Sequence, residues 1–283
     1  MNMLSVLLGE DFNKAMKQWL YPTEPMQGLL RSILLMVPLF AFFAVLQSVF
    51  GVIADVVVYH ADLSSFKVIG DNAKTMTDLS SPQMDDFIKA MLIGMFPAAV
   101  ITVFLTVAAS HLGLPKLKGT LPLHWPKIGV LGWLVILGVF MLAVFGISIA
   151  LFAVMGVNPD TYGSGLVEKA LVGLAADPGL FFLALPGAVL GAPLVEEILF
   201  RGVLFAGLLP RLGRSLTVII TSALWAAAHL GAAPPMFALT IFCMGILLGY
   251  LLLRFGSLWV TIGCHTAWNL VVTLALFSAG SGS

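Results

Sequence analysis

Charged side chains are what this chain has least of. Only 10% of its 283 residues are Asp, Glu, Lys or Arg, against about a quarter in a soluble domain. Hydrophobic residues make up 60% and mean hydropathy is +1.04, so water is not its main solvent. Lys plus Arg and Asp plus Glu number 14 each. There is thus no basic excess to bind nucleic acid and no acidic tail of the kind that forms a disordered partner-binding arm. Cysteine is nearly absent. Cys243 and Cys264 both fall inside apolar runs, and two such residues build no disulfide framework. A signal-peptide pattern is also missing, because Glu10 and Asp11 interrupt the short run Met3 to Leu8.

Long apolar runs are abundant instead. A helix needs about 20 residues to cross the hydrocarbon core. Seven stretches meet this, at roughly 32–54, 91–112, 128–156, 180–208, 215–232, 236–254 and 257–277. The expected fold is all-α, a polytopic transmembrane helical bundle of about 7 to 8 transmembrane helices, the eighth arising only if the long third run is a re-entrant pair. The last four runs follow one another through short connections and should pack as one antiparallel bundle. The chain divides into an N-terminal interfacial segment (1–27), N-terminal transmembrane helices with a polar loop at 55–90 (28–178), a core of closely spaced transmembrane helices (179–277) and a linker-like tail (278–283). A short surface helix is expected at 83–90.

Charge placement supports this count, since cytoplasmic loops collect Lys and Arg. Lys14, Lys17 and Arg31 precede run one; Lys116, Lys118 and Lys127 lie between two and three, Arg211 and Arg214 between four and five, and Arg254 between six and seven. These are alternate loops. Asp55, Asp62, Asp71, Asp78, Asp85, Asp86, Asp160, Glu168 and Asp177 fall on the other side. The implied protein is a multi-pass integral membrane protein with its N-terminus in the cytoplasm and its C-terminus outside, in a prokaryotic inner or plasma membrane.

Ionisable groups inside a bilayer are costly and mark function. Away from the ends of the runs there are five: Glu196, Glu197, Arg201, His229 and His265, with the amide Asn269 one turn beyond the last. On a helix Glu197 and Arg201 are i and i+4 and pair, while Glu196 points about 100° away, free for chemistry. Pro193 removes a backbone hydrogen bond and should kink run four beside the carboxylate. Gly187 and Gly191 allow a neighbouring helix close to that kink. At 1.5 Å per residue, Glu196, His229 and His265 lie about 18, 21 and 12 Å from the inner edges of their runs, one shared layer. A carboxylate beside a histidine takes a proton from water, and further His and amide donors stabilise an oxyanion. Other intramembrane protease patterns are missing: His-Glu-x-x-His and Gly-x-Gly-Asp are absent, and Tyr162-Gly163-Ser164-Gly165 fails Gly-x-Ser-Gly.

Four ordered motifs carry a resemblance. Glu196-Glu197-x-x-x-Arg201, Trp225-x-x-x-His229, Phe242-x-x-Gly245-x-x-x-Gly249 and His265-x-x-x-Asn269 resemble those of the CPBP family, the CAAX-protease and bacteriocin-processing group of membrane glutamic endopeptidases that includes the Rce1-type prenyl-protein proteases. Trp225 departs from the commoner Phe, a change expected to alter pocket shape more than chemistry. The resemblance implies an intramembrane endopeptidase in which Glu196 and His229 activate water, His265 and Asn269 bind the oxyanion, and Glu197 and Arg201 hold Glu196. It implies peptide or lipidated protein substrates, CaaX-type prenylated ones among them, met within the lipid bilayer. No cofactor is expected; zinc on Glu196, His229 and His265 is the alternative by residue type, without an established zinc spacing. Two other classes fit buried Glu, His and Arg: a proton-coupled membrane transporter, and a catalytically silent scaffold or immunity protein that keeps the fold.

Overall fold

A computed structural model describes residues 3–21, 29–75, 81–112, 121–156, 166–230 and 235–281. Lys116, Lys118, Asp78, Asp160 and the 162–165 segment lie outside the described residues. Among those described, every regular element is a helix, because only intrasegment hydrogen bonds satisfy a backbone in lipid as the apolar runs require.

Short helices α1 (Met3–Leu8) and α2 (Glu10–Ala15) precede two long ones, α3 (Leu29–Val58) and α5 (Pro82–Leu112), with α4 (Leu63–Thr75) between them. Then come α6 (Val130–Met155), α7 (Leu166–Leu174) and α8 (Pro178–Pro186). From Gly187 the ladder alternates between wide and ordinary turns: π1 (Gly187–Gly191), α9 (Ala192–Glu196), π2 (Glu197–Leu204) and α10 (Phe205–Ala228). The chain ends in α11 (Pro235–Phe255) and α12 (Leu258–Gly280).

Six helical runs are long and apolar enough to cross a membrane, and one of them, Pro178–Ala228, has 51 residues. At 1.5 Å per residue it would span about 76 Å, far beyond a hydrocarbon core of about 30 Å. Gly213 resolves the excess: its φ of 69° and ψ of 179° are not helical and divide the run into two legs, as the separate runs four and five require. The third run is one continuous helix, α6, so no re-entrant pair arises there. The surface helix expected at 83–90 is the first two turns of α5, because nothing between Pro82 and the apolar segment breaks the ladder. The 55–90 loop is largely helical as well. Asp62 starts α4 by accepting from the Ser65 backbone N–H at 2.9 Å, the N-cap geometry its short carboxylate favours. Helix α12 runs to Gly280, where a Cβ would lie 2.5 Å from the Val172 carbonyl, so the first part of the tail is packed helix.

Helices α3 and α5 cross where Gly51 and Gly94 meet. A Cβ on Gly94 would lie 2.5 Å from the Gly51 nitrogen, the close backbone approach small residues allow in a membrane. The lipid-facing side of α3 exposes Leu34, Val37, Val45 and Val49.

Residues 3–21 clamp one end of the bundle. The Asp11 backbone N–H donates to the Lys127 carbonyl at 3.0 Å and the Lys127 N–H returns to Asp11 Oδ2 at 2.7 Å. Gly9, at φ 91°, touches the Gly129 backbone so closely that no side chain fits. Trp19 lies under the guanidinium groups of Arg214 and Arg254, 5.4 and 4.3 Å from its ring centroid. Lys14, Lys127, Arg214 and Arg254 therefore gather at one end, as the alternate-loop pattern anticipates.

Candidate active site

Glu196 closes α9 just before the register widens, and this separates it from its neighbour. Glu196 is 20% exposed, toward a cavity, and the Glu197 carboxylate is fully buried. Glu197 Oε1 accepts from Arg201 Nη1 at 3.0 Å and meets His265 Nδ1 at 3.1 Å. The pairing expected across i and i+4 is present, and the same carboxylate also fixes the His265 ring on α12.

Trp225 links this pair to Glu196. The indole Nε1–H donates to Glu196 Oε2 at 2.7 Å, and the Arg201 Cζ lies 4.2 Å from the centre of the same ring. The ion pair reaches Glu196 through Trp225 and His265. Trp225 thus bonds the candidate carboxylate directly, where the sequence suggested mainly an effect on pocket shape. Room for Arg201 comes from α11: a Cβ on Gly245 would approach Ser222 Cβ to 2.9 Å and Arg201 Nη2 to 3.1 Å. Gly249 sits equally close to Val218, so both motif glycines are packing positions.

His229 follows the last residue of α10. Its own N–H turns back to the Ala226 carbonyl at 3.1 Å, which leaves the Trp225 carbonyl free at the helix end. His229 Nδ1 takes that carbonyl at 2.8 Å. A carbonyl only accepts, so Nδ1 carries the proton in the neutral ring and Nε2 is a lone pair. This Nε2 is 3.8 Å from Glu196 Oε1, and His265 Nε2 is 3.9 Å from Glu196 Oε2.

The π1 register explains Asn269. The Ala192 N–H bonds the Gly187 carbonyl, five residues back. In that register the partner of the Ala188 carbonyl is residue 193, a proline with no N–H. Asn269 Nδ2 supplies the missing donor at 2.9 Å. The backbone donor expected to be missing at Pro193 is missing, and the Asn269 side chain that replaces it ties α12 to π1.

All four residues line one cavity of about 430 Å³ with Trp225, Phe40 and Phe43 of α3, Met95 of α5 and Trp268 of α12. Glu168 of α7 also lines it. From sequence Glu168 is only a loop charge. The signal that identifies it is the apolar face of α7, where Ala170, Leu171 and Leu174 are buried and Glu168 sits one turn before Leu171. Burial holds its carboxyl above the ordinary value of 4.5. Cys264 is buried beside His265 and packs in the apolar core.

Zinc fits this arrangement poorly. Tetrahedral ligands about 2.0–2.1 Å from zinc lie about 3.3 Å from one another, closer than the 3.8 and 3.9 Å seen here. Glu196 Oε2 also already receives the indole N–H. Among the described residues no group of three or more His, Cys, Asp or Glu is placed to hold a metal ion.

Comparison with known families adds one match. Residues 178–271 match the family model described as type II CAAX prenyl endopeptidase Rce1-like, a third of the chain that contains all four motifs. No curated protein and no solved structure matches.

Proposed function

We propose that the chain, whose residues 178–271 match the model described as type II CAAX prenyl endopeptidase Rce1-like, is an intramembrane endopeptidase that hydrolyses a peptide bond with water activated by Glu196 and His229. The observation that carries this reading is the pair of histidine Nε2 atoms facing one carboxylate at 3.8 and 3.9 Å in a largely apolar cavity. Such gaps are too long for direct hydrogen bonds, and the one between Glu196 and His229 suits a water donating to both.

In the proposed reaction that water attacks the scissile carbonyl carbon. Its proton passes to the Glu196–His229 pair and then to the leaving amine as the C–N bond breaks. Charge on the carbonyl oxygen is met by His265, protonated at Nε2 and held at Nδ1 by Glu197, and by the second N–H of Asn269. No step requires a metal. The cavity volume lies within the ordinary range for small-molecule and peptide-sized sites, about 300–1,000 Å³. Its apolar walls suit a lipidated or membrane-associated peptide, including a CaaX-type prenylated one. Convergence of these polar groups on one cavity, with no relay of sites across the bilayer among the described residues, favours hydrolysis over proton-coupled transport. The basic end is placed in the cytoplasm on the strength of the Lys and Arg pattern.

The test is cleavage of quenched-fluorescent peptides, lipidated and plain, by the solubilised full chain. General acid–base removal costs about 10²- to 10⁴-fold, so Glu196→Ala and His229→Ala each reduce cleavage by that order while Tm is kept. Full activity in both variants refutes the mechanism.

A further inference from the structure

A second polar cluster lies at the other end of the bundle from the basic clamp, outside the cavity just described. The last turn of α3 and the starts of α4 and α5 enclose a space of about 30 Å³ lined by Asp55, Tyr59, Ala61, Ser65, Gln83 and Asp86. All but Ala61 bring a side-chain oxygen. Asp55 is 1% exposed, and its Oδ2 and the Tyr59 hydroxyl are buried with no hydrogen-bond partner. Buried polar oxygens are normally paired, so two orphans facing one small space point to a missing ligand.

That ligand is a cation. Asp55 is in the last turn of α3, where the helix dipole disfavours an anion and favours positive charge. Asp86 faces the same space, and two neighbouring carboxylates repel unless a cation or a shared proton intervenes. No Lys, Arg or His lines the space; the nearby Lys89 is held by Asp85 at 2.6 Å. The Ser65 hydroxyl donates to the Asp62 carboxylate at 3.1 Å and accepts the Asp62 backbone N–H at 3.4 Å, which leaves one lone pair available. All donors are oxygen, the preference of hard cations, with neither sulfur nor imidazole to attract zinc.

We propose that a hard divalent cation of the Ca²⁺ type binds between Asp55 and Asp86, with Tyr59, Ser65 and Gln83 as neutral oxygen ligands and water completing the shell. Bound there, it ties α3, α4 and α5 together. Helices α3 and α5 also supply Phe40, Phe43 and Met95 to the larger cavity, so the cation steadies one wall of the active site from outside it.

The experiment uses the solubilised full chain with Ca²⁺ and, as a luminescent stand-in, Tb³⁺ excited through Tyr59. Ca²⁺ should raise Tm and displace Tb³⁺, quenching its sensitised emission. Asp55→Asn and Asp86→Asn should weaken both effects by about tenfold or more. Gln83→Ala, at an exposed position, should weaken Ca²⁺ binding more mildly without threatening the fold. Tyr59→Phe should lower the emission yet keep the Ca²⁺-dependent Tm rise. An equal Tm response in wild type and both Asp variants, or no saturable Tb³⁺ binding, overturns the site; Tb³⁺ binding that no substitution alters shows adventitious ion only and does the same.

Discussion

Trp225 carries two contacts that no single-residue property reveals. Its N–H holds Glu196 and its ring face covers Arg201. Replacing it with Phe keeps an aromatic face for Arg201 and removes the donor. A hydrogen bond to a charged group contributes about 1.5–3 kcal/mol, so Trp225→Phe should lower kcat about tenfold or more with KM little changed. Unchanged kcat would show that the bond does not position the carboxylate. The convergence of Glu196, His229, His265 and Asn269 on one cavity, and the pairing of Glu197 with Arg201, were legible because each is polar within an apolar run and the i, i+4 spacings fix their faces. The indole bond was not, because its partners are 29 residues apart and meet only once α9 and α10 fold together. Glu168 escaped for a similar reason: its cavity exists only after α7 docks.

At the scale of elements, the two wide helical segments separate Glu196 from Glu197 and leave the Ala188 carbonyl to Asn269. Pro193 was readable as a break, but which carbonyl it orphans depends on the π1 register, which sequence does not announce. Restoring the N–H with Pro193→Ala should let the backbone compete for Ala188 and release Asn269. A proline inside a helix costs about 3 kcal/mol, so the variant should be at least as stable as wild type while its kcat falls about tenfold. A fall in kcat accompanied by a fall in Tm would instead mean that the proline supports the fold. The bounds of α3, α6, α11 and α12 followed from apolar run length to within about one turn, whereas α4 and α7 lie outside the apolar runs. Helix α5 begins about two and a half turns before its apolar stretch, since polar residues continue the ladder at no cost outside the bilayer.

Across the described residues, charge gathers toward two ends and the candidate cavity lies between them. Glu168 couples that cavity to pH. Burial raises its folded pKa above the unfolded value, so its contribution to stability is fully present below that unfolded value and is lost as pH rises through the folded one. Tm should therefore decline from about pH 4.5 upward by an amount that Glu168→Gln abolishes. An identical Tm profile in the variant would show that Glu168 does not titrate with folding. The central claim is that Glu196 activates water without a metal. Its most direct test is the cleavage rate of wild type and Glu196→Gln before and after treatment with a zinc-selective chelator that leaves Ca²⁺ in place. The account predicts a wild-type rate unchanged by the chelator and a Glu196→Gln rate lower by about 10²-fold or more in both conditions; loss of wild-type cleavage on chelation, restored by added zinc, would contradict it.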